Sequence, residues 1–147
     1  MATLHVEIVT QEKRLFSGEA DMIIAPGGEG ELGILPHHAP LLTTLKEGVL
    51  RVKQGGNEEY FTIGGGFMEV QPDHVVVLAD VAEKADDIDI ARAEEAKQRA
   101  EQLLKDRSAG VDIDAALASL RRAQIRIAVA QKRGTRRADV PDRRKEQ

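Results

Sequence analysis

Few residues of this chain have types and spacing that could do chemistry. Gly28-Glu29-Gly30-Glu31-Leu32-Gly33 fits the GxGxxG pattern that cradles a dinucleotide pyrophosphate. Such a site needs a helix N-terminus directly after the glycines. Here Ile34-Leu35-Pro36 continues as extended chain, and Glu29 and Glu31 would repel phosphate. The stretch therefore reads as a glycine-rich turn between strands. His37-His38 is the one histidine pair, and neighbours in a strand point to opposite faces, so no metal site is expected. Asp89 and Arg92 stand three apart on one helical face, as an anion-handling pair or as an exposed ion pair worth roughly 0.3–0.5 kcal/mol. Arg122 and Arg126 stand four apart and could both reach one anion, or could line a solvated face. No Ser–His–Asp or paired-carboxylate arrangement follows from spacing, so no catalytic residues are assigned and the chain is not expected to be an enzyme.

The elements that must position these residues fall into two parts. The chain has 147 residues, 41% hydrophobic and 31% charged, which suits a water-soluble domain with an appendage. Aromatics are 3% and Trp is absent, so any core rests on Val, Ile, Leu and Ala around Phe16, Phe61 and Phe67. The absence of Cys excludes disulfides and thiolate chemistry. No apolar run is long enough to span a bilayer, and the Met-Ala-Thr-Leu-His start lacks signal-peptide character. Residues 1–85 carry six Lys or Arg against thirteen Asp or Glu; from Ser119 onward there are ten against three. This asymmetry points to two parts with different partners, the second part facing an anionic one.

Leu4, Val6 and Ile8 alternate with period two, and short apolar runs follow at Ala20–Ala25, Leu41–Leu45, Val49–Lys53, Tyr60–Ile63, Phe67–Val70 and His74–Leu78. Turn residues punctuate them, including Gly48 and Gly64-Gly65-Gly66. The expected fold of residues 1–85 is an N-terminal antiparallel β-sandwich. Helix signals take over at Asp86, with Ala93, Ala96, Ala100 and Leu103 as the first stripe. Ser108-Ala109-Gly110 breaks the run. A second helix is expected from Asp112 or Asp114, with Ile113, Ala116, Leu117, Leu120, Ala123, Ile127 and Ala130 as its stripe and Gly134 as its C-terminal cap. Residues 86–134 thus form a C-terminal antiparallel two-helix hairpin, and 135–147 a flexible basic tail. Helices this short are marginal alone, so the hairpin must dock, and a weakly held element can dock in more than one place.

Four ordered stretches then resemble the epsilon subunits of bacterial F-type ATP synthases. The firmest is Gly30-Glu31-Leu32-Gly33-Ile34-Leu35-Pro36-His37-His38-Ala39-Pro40-Leu41-Leu42. The others are Ile8-Val9-Thr10 to Glu12 with Leu15 to Ala20, Gly64 to Val70, and Val77-Leu78-Ala79-Asp80. The resemblance covers about residues 3–133. It implies a ten-stranded sandwich that binds the gamma subunit and the membrane c-ring, with Glu29, Glu31, Leu32, His38, Ala39, Pro40 and Leu42 as contacts. It also implies a hairpin that folds beside the sandwich or extends into the catalytic head, where it blocks ATP hydrolysis. Arg121, Arg122, Arg126, Lys132 and Arg133 would then meet the beta subunits, with alpha nearby.

Ile88-Asp89-Ile90-Ala91-Arg92-Ala93 is similar to the ATP-binding motif of some members of that family. The resemblance implies that Ile88, Asp89, Arg92, Ala93, Arg99, Arg122 and Arg126 hold ATP as a regulatory ligand, with no cofactor required. The expected location is the cytoplasmic side of the cell inner membrane, peripherally and without insertion. The tail beyond Gly134 is longer and more basic than the family pattern. The alternative is a free-standing ATP-binding sensor, which co-purification with gamma would eliminate. A nucleic-acid module is disfavoured by the low aromatic content and the acidic first part.

Overall fold

The computed structural model describes residues 2–106, 110 and 112–138, with side chains described as far as residue 132. Eight strands lead into two helices: β1 (Leu4–Val9), β2 (Arg14–Ala20), β3 (Met22–Gly27), β4 (Gly30–Ile34), β5 (Leu41–Gln54), β6 (Asn57–Val70), β7 (His74–Ala79), β8 (Ala82–Lys84), α1 (Ile90–Lys105) and α2 (Ile113–Ala138). A single turn of 3-10 helix, Ala85–Asp87, joins β8 to α1. The strands pair in the order β2-β1-β7-β6-β5-β3-β4, with β8 on β6. All pairs are antiparallel except β1 with β7, which departs from the wholly antiparallel expectation.

Alternation in β1 works as the sequence predicts: Leu4, Val6 and Ile8 are fully buried and their neighbours are not. They join Ile23, Ile34, Leu50, Phe61, Met68, Val70, Val75 and Val77 in the sandwich core. Phe16 meets Phe61 edge-on, with ring centroids 5.8 Å apart.

The glycines expected to end strands do not end them. Leu41–Leu45 and Val49–Lys53 are one strand through Gly48, and Tyr60–Ile63 and Phe67–Val70 are one strand through Gly64-Gly65-Gly66. The β5–β6 register runs from Leu41 opposite Val70 to Gln54 opposite Asn57, skipping Lys46 and Gly65. Gly65 and Gly66 have φ of 89° and 127°, so the ladder bends there and continues. One half of the hairpin then pairs with β7 and the other with β3 and β8. The ten strands implied by the resemblance become eight because two strands run through this bend. β2, β4 and β8 escaped the sequence reading. β2 has only one buried residue, Ala20, β4 is broken up by glycine, and β8 has three residues.

Both helices begin on an aspartate. Asp89 Oδ1 accepts the Arg92 backbone N–H at 3.2 Å, and Asp112 Oδ1 accepts that of Ala115 at 3.0 Å. Val129 and Ala130, in the C-terminal half of α2, pack beside Ile88, where α1 begins, so the helices run antiparallel. Ala93 and Ala100 of α1, with Ala116, Ala123, Ile127 and Ala130 of α2, are buried; small residues let the axes approach. Leu103 and Leu117, read as members of the stripes, stay exposed, as does Ile113.

Gly134 does not cap α2. The helix passes through it to Ala138, so the expected end is corrected by four residues. An interior glycine costs only about 1 kcal/mol, and no proline follows before Pro141. The expected break at Ser108-Ala109 and the tail from residue 139 lie outside the described residues.

Candidate functional site

A second, smaller core joins hairpin to sandwich. Ala85, Ile88, Val129 and Ala130 are buried together, with Val49, Tyr60 and Ile125 packed against them. Around this patch α2 places its basic side chains on the sandwich. Arg126 Nη2 donates to Glu83 Oε2 at 3.1 Å, and its Nε lies 2.9 Å from Glu83 Oε1. Arg122 Nη1 lies 3.7 Å from Glu47 Oε1, while its Nη2 donates to Ser119 Oγ at 3.1 Å. Lys132 Nζ sits 5.0 Å from the centre of the Tyr60 ring. The Tyr60 hydroxyl donates to Glu58, whose Oε1 lies 3.2 Å from Lys53 Nζ. The phenol's hydrogen bond holds the Glu58 carboxyl below its ordinary range, against partial burial and with help from Lys53.

Three of the five cations assigned to an inhibitory contact thus face the sandwich. Arg121 is exposed, and the Arg133 side chain lies outside the described ones. Arg122 and Arg126 line a cavity of about 300 Å³ between α2 and the sandwich, together with Glu47, Glu83, Ile63, Val81 and Ile125. The other residues assigned to ATP are not part of that lining. Ile88 is buried in the small core, Ala93 in the helix–helix contact, and Arg92 and Arg99 are exposed on α1. Asp89 is engaged as the cap of α1, meeting Arg92 through its backbone N–H. Glu47, Tyr60 and Glu83, the sandwich side of this dock, were missed by sequence reasoning. The available signal was weak: acidic residues on the first part facing a basic helix.

The GxGxxG stretch is the tip of a β3–β4 hairpin, with Gly27 opposite Gly30 and Gly28-Glu29 as the turn. Glu29, Glu31 and Leu32 border an open hollow with Leu41, Thr43 and Thr44, which brings them beside the segment that follows His38, Ala39 and Pro40. The Gly28 N–H donates to the Thr44 carbonyl at 3.1 Å and fixes that approach. His37 and His38 lie in a turn, not a strand, which corrects the geometry assumed for them. His37 takes φ of 67°, and the His38 ring nitrogen Nδ1 lies 2.7 Å from the Ala39 carbonyl oxygen. Among the described residues, no three His, Cys, Asp or Glu are grouped to hold a metal.

Leu42 points away from the core and is 71% exposed. Thr44, Phe67, Leu78 and Val9 occupy matching register positions across β5, β6, β7 and β1. Phe67 and Leu78, 52% and 53% exposed, make this outer face apolar. Their alternation with buried Met68 and Val77 was visible in the sequence; which face pointed outward was not.

Comparison with known proteins places this architecture. Residues 3–85 match the family model of the beta-sandwich domain of the ATP synthase delta/epsilon chain, and residues 86–131 match that of its long alpha-helix domain. The chain belongs to the ATP synthase delta/epsilon family. Within that family its relatives are bacterial epsilon chains. It is 54% identical over 134 residues to the ATP synthase epsilon chain of Dehalococcoides mccartyi strain BAV1, covering 90% of this chain and 96% of that one. It is 53% identical over 129 residues to that of Desulforamulus reducens, covering 88% and 98%. The fold also resembles chains in solved mitochondrial ATP synthases. The Euglena gracilis OSCP/F1/c-ring structure gives a TM-score of 0.65 at 20% identity, covering 92% of this chain and 81% of that one. The Tetrahymena thermophila central stalk/c-ring structure gives 0.52 at 18%, covering 88% and 94%.

Proposed function

We propose that this chain is the noncatalytic epsilon subunit of an F-type ATP synthase, a central-stalk component that helps couple proton flow to ATP synthesis. The observation that carries this is the ordered match of both domains to the family, on a fold that pairs a sandwich with a docked hairpin. The sandwich binds gamma and the c-ring through two surfaces. One is the tip formed by Glu29, Glu31 and Leu32 with the His38–Pro40 segment; the other is the apolar outer face around Leu42, Phe67 and Leu78. The subunit sits peripherally, on the cytoplasmic side of the inner membrane, held there by gamma and the c-ring; no helix among the described residues is long and apolar enough to cross a membrane. The hairpin is a brake: released from the sandwich, its basic helix enters the head and engages the beta and alpha subunits.

ATP as a regulatory ligand is supported by Arg122 and Arg126 lining one cavity. If ATP binds only the docked hairpin, ATP at ten times its dissociation constant favours docking by roughly 1.4 kcal/mol. High ATP would then release the brake and low ATP would engage it. Two experiments test the reading. Truncation after Lys84 keeps the main core intact and should raise ATP hydrolysis by the assembled head; unchanged hydrolysis removes the brake. Calorimetry of the whole chain with ATP, beside an Arg92→Ala, Arg126→Ala variant, tests sensing. Absence of binding at millimolar ATP ends that part and leaves the rotor assignment standing.

A further inference from the structure

β1 and β7 form the one parallel pair among the described strands, and their register sets His5 directly beside His74. The His5 backbone N–H donates to the Asp73 carbonyl at 3.0 Å, which fixes that end of the pair. Side chains alternate along both strands. Leu4, Val6, Val75 and Val77 are buried, so His5 and His74 both stand on the outer face. Neighbouring strands lie about 4.8 Å apart, so the two imidazoles start from backbones at that spacing. Glu7, two residues on from His5, stands on the same face. None of these three lines the hairpin dock or the hollow beside the β3–β4 tip.

Each ring is held by a carboxylate through the same nitrogen. His5 Nδ1 lies 3.2 Å from Glu19 Oε1, and His74 Nδ1 lies 2.7 Å from Asp73 Oδ1. The Thr3 hydroxyl donates to Glu19 Oε2 at 2.6 Å and steadies that carboxylate. An ionised carboxylate only accepts, so in the neutral ring the proton sits on Nδ1 and the lone pair on Nε2. A carboxylate behind a histidine in this way is the usual support of a metal-binding imidazole, because it fixes the tautomer and raises the basicity of the other nitrogen. On its free side, His5 Nε2 has a further donor, Glu7 Oε1, at 3.8 Å. Tetrahedral ligands about 2.1 Å from a zinc ion stand about 3.4 Å from one another, so Glu7 is already near a ligand's place. Its other neighbour, Arg14 Nη2, is also 3.8 Å away, a loose contact that it can give up.

We infer that His5, His74 and Glu7 form a site for a divalent transition metal on the β1–β7 surface, with water completing the ion's shell. The site is not preassembled, since no three donors are grouped to hold a metal among the described residues. Binding turns the partly exposed His74 ring toward His5, and the exposed Asp73 carboxylate follows it. Two imidazoles and one carboxylate suit zinc, nickel or copper; calcium and magnesium take oxygen ligands instead. The bound ion cross-links the first strand of the sandwich to β7 and stabilises the fold according to its occupancy. This inference stands apart from the epsilon-chain reading and involves no partner subunit.

Calorimetry of the untagged full-length chain with zinc chloride tests it. The chain contains no Cys and four His, so the competing ligands are few. Saturable binding of one zinc per chain is expected, and the amide resonances that move with zinc should be those of β1 and β7. His5→Gln and His74→Gln should each abolish that binding. Glu19→Ala, which removes the support behind His5, should weaken it about tenfold. The double variant His37→Gln, His38→Gln should bind as the native chain does. Zinc at about a hundred times its dissociation constant should shift the unfolding equilibrium of the native chain about a hundredfold toward the folded state, and that of His5→Gln or His74→Gln not at all. The replaced rings are partly exposed, so without zinc these variants should unfold at the native denaturant concentration. Absence of saturable zinc binding to the native chain overturns the site. So does binding that persists when both His5 and His74 are replaced, or that is lost with His37 and His38 instead.

Discussion

Arg126 of α2 faces both carboxylate oxygens of Glu83 on β8, with Nη2 donating to Oε2 at 3.1 Å and Nε lying 2.9 Å from Oε1. A planar fork matches the two oxygens of a carboxylate in one fixed geometry; an ammonium is a compact point charge without that match. Arg126→Lys keeps the charge and should still loosen the hairpin, raising the amide exchange of α2 a few-fold while the β-strand amides stay protected. If exchange is unchanged, charge alone holds the helix and the fork geometry is irrelevant. A double-mutant cycle of Glu83→Ala and Arg126→Ala should give a coupling of about 0.5–1 kcal/mol, modest because both groups keep some access to water.

Gly66 supports the sandwich by a different route. Its φ is 127°, and a Cβ there would collide with the Leu78 carbonyl oxygen on β7. Gly66→Ala should destabilise the chain by about 2–4 kcal/mol, seen as a lower urea midpoint. Gly56→Ala is the control: it lies in the β5–β6 turn with open space around it and should change little. Equal effects at the two sites would show that the bend yields.

These glycines also mark where the sequence misleads. A run of three glycines between apolar segments has the composition of a turn, and only the partner strands show that β6 bends and continues. Period two in β1 and the three-and-four spacing of alanines in α1 are local signals, and both were legible. Leu103 and Leu117 fitted the same stripes yet remain exposed, because periodicity does not say where a partner surface stops. The site was legible on one side only. Arg122 and Arg126 stood out by spacing within a helix. Glu47, Tyr60 and Glu83 come from separate strands, and only the fold brings them to one surface.

Asp89 separates a structural role from a binding one. Its carboxylate accepts the Arg92 backbone N–H and so starts α1. Asp89→Ala should cost about 1 kcal/mol and increase fraying of the first turn, measurable as lost protection at Arg92 and its neighbours. Asp89→Asn keeps an acceptor oxygen and should cost little. If ATP binding falls in Asp89→Asn with the helix intact, the charge matters to the ligand. If binding falls only in Asp89→Ala, the motif acts through the cap.

Glu58 gives the pH dependence a direction. Its carboxyl is held below the ordinary value by the Tyr60 hydroxyl, despite partial burial and with Lys53 assisting. A group whose folded pKa is depressed binds fewer protons in the folded state than in the unfolded state as pH enters the carboxylate range. Its contribution is therefore complete above the unfolded value of 4.5 and is lost as pH falls through the lowered folded one. Glu19 and Asp73 shift in the same direction on the surface, the first through Thr3 and His5 and the second through His74. These three carboxylates should accordingly make the unfolding free energy decline as pH falls below about 4.5. Glu58→Gln should be less stable at pH 7 and show a shallower acid decline, because the ionised partner of Tyr60 is gone. Tyr60→Phe should flatten the same limb while keeping the ring beneath Lys132. An acid limb identical in all three proteins would mean that the Tyr60–Glu58 bond contributes nothing to folding.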